Sequence, residues 1–281
     1  MYETWRHPGR DWWTKLRHAA QHIDHVAEAE RAYLAGEPWS LEPEPEGRDH
    51  VTNLRLRLHE PPPPELVLCA GDALHNLSSA LDSIAFALAR EHYGPGLDDD
   101  ERLQSRTEFP VRYTVEALET WRRSNRRAEL FGERELRALW WGQSYYWHAT
   151  SYDDHGIGPT PGSPEEAQQI SHDPLRRLRF LHKIDKHRRL HVALLGPDIT
   201  YWGSSGDSQR RANIGAVWRD GEIVAQVYDP PSDAEDTDIE WGLRVVVVEE
   251  GRRELLVEEL RRLHQAVGLS LDAVIRAMTL G

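Results

Sequence analysis

The chain has a single cysteine, Cys69, in 281 residues. No internal disulfide is therefore possible, and no cysteine-based zinc site can form. No apolar run approaches the length of a helical membrane span. The opening stretch MYETWRHPGRDWW lacks the apolar core of a signal peptide. Cations are in deficit: 34 Lys and Arg stand against 47 Asp and Glu, for a formal net charge of -13. A surface that acidic disfavours nonspecific nucleic-acid binding, which needs clustered cations. The phosphate-cradling Gly-x-x-x-x-Gly-Lys-Ser/Thr loop, Gly-x-Gly-x-x-Gly, the Gly-x-Ser-x-Gly elbow and His-Glu-x-x-His are all missing. Together these point to a cytoplasmic protein, bacterial in style, with no membrane partner and enough chain to bury a core.

Tryptophan is plentiful, with 11 in the chain, and histidine numbers 15. The tryptophans include the pairs Trp12–Trp13 and Trp140–Trp141. Aromatics this dense usually fill a core or an interface. The cations that do occur are clustered. The stretch 176–191, RRLRFLHKIDKHRRLH, holds seven of them, and Arg122, Arg123, Arg126 and Arg127 form a second group. Each cluster reads either as a solvated helix face or as a local basic site inside an acidic shell. Cys69, beside the apolar run ELVLCA, reads as packed rather than nucleophilic.

Periodicity predicts a helix over 11–35, with Asp11 as N-cap, Gly36 as stop, and Trp12, Leu16, Ala19, Ile23 and Val26 on one stripe. Residues 36–49, rich in Pro, Glu and Gly, read as a loop, and 50–60 alternate as a strand. A helix follows Pro61–Pro64, then TEFPV at 107–111 as a short extended piece, then helices near 114–127 and 132–142. Asp173 before Pro174 is a strong helix start, and that helix runs to about Leu190. Beyond it the sequence is strand-like, with Asp220–Gly221 as a hairpin signal, before a last helix over 252–278. The reading is α+β. One domain holds a helical bundle over 1–190, an antiparallel sheet over 190–250 and a closing C-terminal helix over 252–281.

The candidate site lies on two of these helices. In GDALHNLSSALDSIAFALA, Leu74, Leu77, Leu81, Ile84 and Leu88 share one side of the wheel. Asp72, His75, Asn76, Ser79, Asp82 and Ser83 share the other, and no Lys, Arg or Glu lies between Ala73 and Ala89. Short polar side chains suit either a hydrogen-bonded helix contact or the lining of a cleft. In the helix at 174–190, Asp185 and Arg188 fall in the apolar sector with Leu178, Leu181 and Ile184. His182 and Arg189 sit at its edge, while Lys186 and His187 point further out. A charge on a core-facing side needs a partner. Asp185 and Arg188 either pair with each other or meet Asp82 and His75. Such networks are also where perturbed pKa values arise. His18, His22 and His25 form a third stripe. His22 and His25 are candidate metal ligands, alongside the Asp72-x-x-His75 and His182-x-x-Asp185 spacings.

GDALHNLSSALDSIAFAL, TEFPV and DPLRRLRFLHKIDKHRRL together resemble a family of uncharacterised bacterial proteins, actinobacterial in type. Its members read Gly-Asp-x-Leu-His-Asn-Leu-Arg-Ser-Ala-Leu-Asp-His, then Phe-Pro, then Asp-Pro-Leu with Ile-Asp-Lys-His-Arg. Trp13 and His22 also fit its N-terminal helix, and the resemblance spans roughly residues 10 to 191. The Arg-Ser-Ala-Leu-Asp-His element is in turn similar to the Arg-x4-His signature of HEPN-type helical ribonucleases. There the arginine holds phosphate and the histidine moves a proton in cleavage through the RNA 2′-hydroxyl. This chain has Ser78 and Ser83 at those two places. A serine does not replace an imidazole in proton transfer near neutral pH, which counts against a working HEPN nuclease and leaves open a HEPN-like bundle that binds without cutting.

Three readings follow. The first is a binding or regulatory protein with a polar cleft between 72–89 and 174–190 for a phosphate-bearing ligand, a nucleotide or RNA. In it Asn76, Ser79, His182, Lys186, His187 and Arg189 contact the ligand. The second is an acid–base or metal-dependent hydrolase using His75, Asp82, His182 and Asp185, with Arg188 beside them. The third is a structural or oligomerisation protein, a homodimer being one form of it, in which the polar network only fixes helix packing.

Overall fold

The apolar stripes of the sequence are the buried faces of the structure, a computed structural model that describes residues 5, 7, 9–45, 51–112, 115–143, 173–187, 190, 192–195, 210–212, 217–228, 244–249 and 252–280. The fold is mixed α+β and mostly helical. Its helices are α1 (Asp11–Ala35), α2 (Pro64–Tyr93), α3 (Glu101–Gln104), α4 (Val115–Arg123), α5 (Glu133–Trp141), α6 (Pro174–His187) and α7 (Leu256–Leu280). Its strands are β1 (Trp39–Pro45), β2 (Val51–Leu58), β3 (Val192–Leu195), β4 (Arg210–Ala212), β5 (Val217–Trp218), β6 (Ile223–Tyr228), β7 (Arg244–Glu249) and β8 (Arg252–Leu255). No helix among the described residues is long and apolar enough to cross a membrane.

The chain gathers into two compact units, each built from separated segments. The first takes Met1–Asp24, Ala70–Arg189 and Leu260–Gly281, and the second His25–Cys69 and Leu190–Glu259. The first unit is helical. Leu74, Leu77, Leu81, Ile84 and Leu88 of α2 are fully enclosed. Trp12, Leu16, Ala19 and Ile23 of α1, Leu178 and Leu181 of α6, and Leu263, Val267, Leu271 and Val274 of α7 are buried as well. The 3.6-residue period of each stripe supplies the driving force for the bundle, at roughly 1.5–3 kcal/mol per enclosed large side chain.

The extended segment 107–111 runs through this unit with no strand paired to it among the described residues, and side chains satisfy part of its backbone. Phe109 N–H donates to Asp82 Oδ1 at 2.9 Å, and Phe109 O accepts from Arg179 Nη2 at 3.0 Å. Gln143 Nε2 donates to Pro110 O at 3.0 Å, and Gln143 Oε1 accepts from Arg112 N–H at 2.9 Å. Phe109 itself is buried.

The second unit holds two four-stranded antiparallel sheets, ordered β1-β2-β6-β4 and β5-β3-β7-β8. Three sequence expectations change here. The first is at 252–255: read as the start of the last helix, Arg252–Leu255 is a strand paired with β7 from Val246↔Leu255 to Glu249↔Arg252, and the helix begins at Leu256. Trp39–Pro45, read as loop, is an edge strand in register with β2 from Trp39↔Leu58 to Pro45↔Thr52. Its prolines are tolerated because an edge strand has one unpaired side. Its glutamates meet arginines: Glu42 takes Arg57 at 2.7 Å, and Glu44 takes Arg55. The hairpin expected at Asp220–Gly221 is not one. Val217–Trp218 pairs with β3 and Ile223–Tyr228 with β2 and β4, so the turn links two sheets. Gly221, at φ 80°, supplies the left-handed bend. The turn is held by β2, since Gly221 N–H donates to Leu56 O and Asp220 Oδ1 accepts from Leu58 N–H, both at 2.9 Å. Glu30 Oε1 of α1 accepts from Val245 N–H at 3.1 Å.

Candidate functional site

The part of α2 that carries the candidate residues, from Ala70 onward, and all of α6 belong to the helical unit. The start of α6 is fixed as its sequence requires: Asp173 Oδ1 accepts from Arg176 N–H at 2.8 Å, and Pro174 occupies the first helical position. That phase turns Leu178 and Leu181 inward and brings Arg179, His182 and Asp185 to α2.

Asp82 is claimed by Arg179. The guanidinium reaches both carboxylate oxygens, Nη2 to Oδ1 at 2.6 Å and Nη1 to Oδ2 at 3.3 Å. It also donates to Ser78 Oγ at 2.6 Å and to Phe109 O. Ser78 is fully buried, whereas the Asp82 and Arg179 side chains keep 40% and 28% of their exposure, so solvent weakens their attraction. With Phe109 N–H on the same carboxylate, the group is a clamp joining α2, α6 and the 107–111 segment. Sequence reading missed Arg179. The one available signal was its position a single turn before His182 on the flank nearest α2.

At the places where the resemblance puts arginine and histidine, each serine accepts a hydrogen bond from a cation on another helix. Ser78 has Arg179, and Ser83 Oγ accepts from Lys15 Nζ of α1 at 2.6 Å. Lys15 also reaches Ser79 O at 3.5 Å.

One to two turns nearer the start of α2 lies a second cluster. The His75 and His182 rings stand 5.6 Å apart, tilted by 55°. His182 is half-buried and His75 exposed. Burial first, then the neighbouring His75 and Arg179, push the His182 imidazole below its ordinary value. Asp185 lies against the α2 backbone at Gly71, where an added Cβ would stand 2.6–2.8 Å from its carboxylate. Only glycine allows that approach. Burial, then the facing Asp72, push the Asp185 carboxyl above its ordinary value, with His75 opposing. His22 Nδ1 stands 4.0 Å from Asp72 Oδ2. Lys186 is exposed on the adjoining side of α6.

Other sequence candidates fall as follows. Asn76 Nδ2 bonds back to Asp72 O at 2.9 Å, and Ser79 is half-buried. Arg188 and Arg189, and the side chain of His187, lie outside the described residues, so the pairing of Asp185 with Arg188 is untouched by the structure. His25 is exposed one turn beyond His22 on α1. Among the described residues, no group of three or more His, Cys, Asp or Glu is arranged to hold a metal ion.

Asp185 and His182 are displaced toward each other's range, and each displacement favours the neutral form. Asp185 binds its proton more readily folded than unfolded. Its contribution is therefore complete below the usual 3.8 and is lost as pH rises through the elevated folded value. His182 acts higher on the scale: below its usual 6.5 the unfolded chain takes up a proton that the folded chain resists, so stability falls with falling pH there. Asp185→Asn should accordingly raise Tm at pH 7 by about 1–2 °C, the size of a solvent-screened effect in a chain this long, and leave it unchanged near pH 3.5. Thermal unfolding followed by circular dichroism at the two pH values checks this; a gain that is equal at both would contradict it.

No protein-family model matches this chain, and comparison with curated proteins and with solved structures finds no significant match.

Proposed function

We propose that this protein is a binding protein whose helical unit, HEPN-like and cytoplasmic in this reading, takes a nucleotide or the nucleotide units of an RNA. The ligand would occupy the face shared by His75, His182, Asp185 and Lys186. The observation that carries the reading is the tilted imidazole pair at 5.6 Å, backed by Asp185 against Gly71. Imidazole faces pack on a base, carboxylates accept from ribose hydroxyls or base N–H groups, and the Lys186 ammonium, beside the imidazolium forms, attracts phosphate. Asp82 has no part in it, since Arg179 and Phe109 already occupy its oxygens.

Calorimetric titration with nucleoside monophosphates and a short single-stranded RNA tests the proposal. His182→Ala should weaken the best ligand about tenfold, about 1.4 kcal/mol, and Lys186→Ala should weaken phosphorylated ligands while sparing nucleosides. Affinity should rise as pH drops from about 7.5 to 6, because phosphate favours the protonated imidazole. Absence of binding across the panel, or binding indifferent to His182→Ala, would overturn it.

A second reading rests on the convergence of Asp185 and His182. A carboxyl pushed up by burial and an imidazole pushed down by it are displaced in the directions that acid–base work uses. Hydrolysis of the bound ligand during the same titrations, lost in both Asp185→Asn and His182→Ala, would favour it. The structural reading applies best to the Arg179–Asp82 clamp.

A further inference from the structure

A cleft of about 480 Å³ opens in the helical unit beside the far end of α2. It is separate from the histidine face: Ala87, on its wall, lies more than three turns beyond His75 on the same helix, about 18 Å by helical rise. Its volume is that of a small-molecule site.

Its walls divide into an aromatic part and a charged part. Trp5 and Trp12 line it together with Ala87. The two indole rings are stacked, 5.5 Å between centroids and 26° between planes, and both residues are buried. Arg10, Arg90 and Glu91 supply the charges, and each is already engaged. Arg90 meets Asp98 at 2.7 Å, and Glu91 meets Arg134 at 3.3 Å. Arg10 lies 5.7 Å from the Trp12 ring centroid and makes a further interaction of its own. A charged ligand would give up its hydration here with no free counter-charge to meet it. One polar group is in the opposite position. The Trp12 Nε1–H is a buried donor with no acceptor among the described residues. Trp13 and Trp121 carry similar unmatched indole N–H groups, but only Trp12 of the three lines the cleft. An acceptor brought to such a donor is rewarded.

We propose that this cleft binds a small, uncharged aromatic molecule, its ring packed against the Trp5–Trp12 pair and a carbonyl oxygen accepting from the Trp12 N–H. The ring supplies the apolar and π contact that two indoles favour. The carbonyl satisfies the donor that the fold leaves unmatched on this wall. The engaged charges discriminate by exclusion: acids and amines of the same shape lose affinity, because no group of opposite sign is free to replace their water.

The test is calorimetric titration of the full chain with four indoles: the neutral indole-3-acetamide, the anion indole-3-acetate, the cation tryptamine, and 3-methylindole, which lacks the carbonyl. The wild type should bind the amide with a Kd below about 1 mM and each of the other three about fivefold more weakly or worse. Trp12→Phe keeps a ring and removes the donor, so it should bring the amide down to the level of 3-methylindole. Ala87→Phe should fill the cleft and abolish every signal while circular dichroism shows the fold retained. If either variant misfolds, the order of the four ligands on the wild type still decides. No binding of the amide at millimolar concentration would overturn the proposal. So would any of the other three binding as tightly as the amide, an amide affinity unchanged by Trp12→Phe, or binding that survives Ala87→Phe in a folded protein. A nucleoside monophosphate bound at the histidine face should leave the amide affinity unchanged, so the two proposals fail independently.

Discussion

Arg179→Ala should destabilise the helical unit by about 2–3 kcal/mol and lower its Tm by about 5 °C. One guanidinium serves Asp82 twice, Ser78 Oγ and Phe109 O. Its removal leaves a fully buried hydroxyl without its donor and a carboxylate without its counter-charge. Partial exposure of the Asp82–Arg179 pair holds the figure at the lower end for a broken charge network. Arg179→Lys should recover less than half of the loss, because an ammonium is a point donor and does not span three acceptors. In a double-mutant cycle with Asp82→Asn the two effects should be strongly non-additive. Chemical denaturation of the four proteins measures this. Additive effects, or an Arg179→Ala protein as stable as the parent, would mean the clamp carries no weight.

Gly142→Ala should cost a similar amount, about 2–3 kcal/mol, for a steric reason. Gly142 closes α5 at φ -76°, a conformation any residue adopts, so backbone freedom is not at stake. The space is. A Cβ there would lie 2.6 Å from Val274 Cγ2 and 3.2 Å from Phe109 Cζ, and both neighbours are buried. The backbone is pinned from the other side, because Gly142 O accepts from the buried Ser270 hydroxyl at 2.8 Å. Adding Val274→Ala makes room, so the double variant should be less destabilised than the sum of the two single ones. A Gly142→Ala protein with unchanged stability would show that α5 and α7 have slack at this point. Phe109 links this prediction to the previous one, since the residue that the clamp holds is the one this Cβ would strike.

What was legible in the sequence follows from the range over which each signal acts. Helix stripes and caps are local, and α1, α2 and α6 begin where Asp11, the proline run and Asp173–Pro174 place them. β1 was not legible, because Glu-Pro alternation has the composition of a loop. It is a strand through backbone pairing with β2, a non-local partner, whose Arg55 and Arg57 also meet its glutamates. The Asp220–Gly221 turn was recognised as a turn, but its partner strands are set by sheet pairing that a dipeptide does not encode. At the site, His75, His182 and Asp185 were picked out from their positions on two wheels, and the structure brings them together. The partner of Asp82 was hidden: Arg179 is 97 residues away, and periodicity within one helix says nothing about which residue of another it meets. The close seat of Asp185 was carried by Gly71, a glycine inside a helix with no turn to explain it.

The central claim is that the His75–His182 face binds a nucleotide while the Asp82 clamp holds it in place. Imidazole resonances in NMR spectra recorded during a titration with a nucleoside monophosphate test this most directly, with His75→Ala and His182→Ala supplying the assignments. The account predicts that the His75 and His182 signals shift together in a saturable way, that the depressed His182 pKa rises on binding, and that Arg179→Ala weakens the response. Saturable binding that leaves both imidazoles unmoved, or no saturable change in any imidazole, would contradict it.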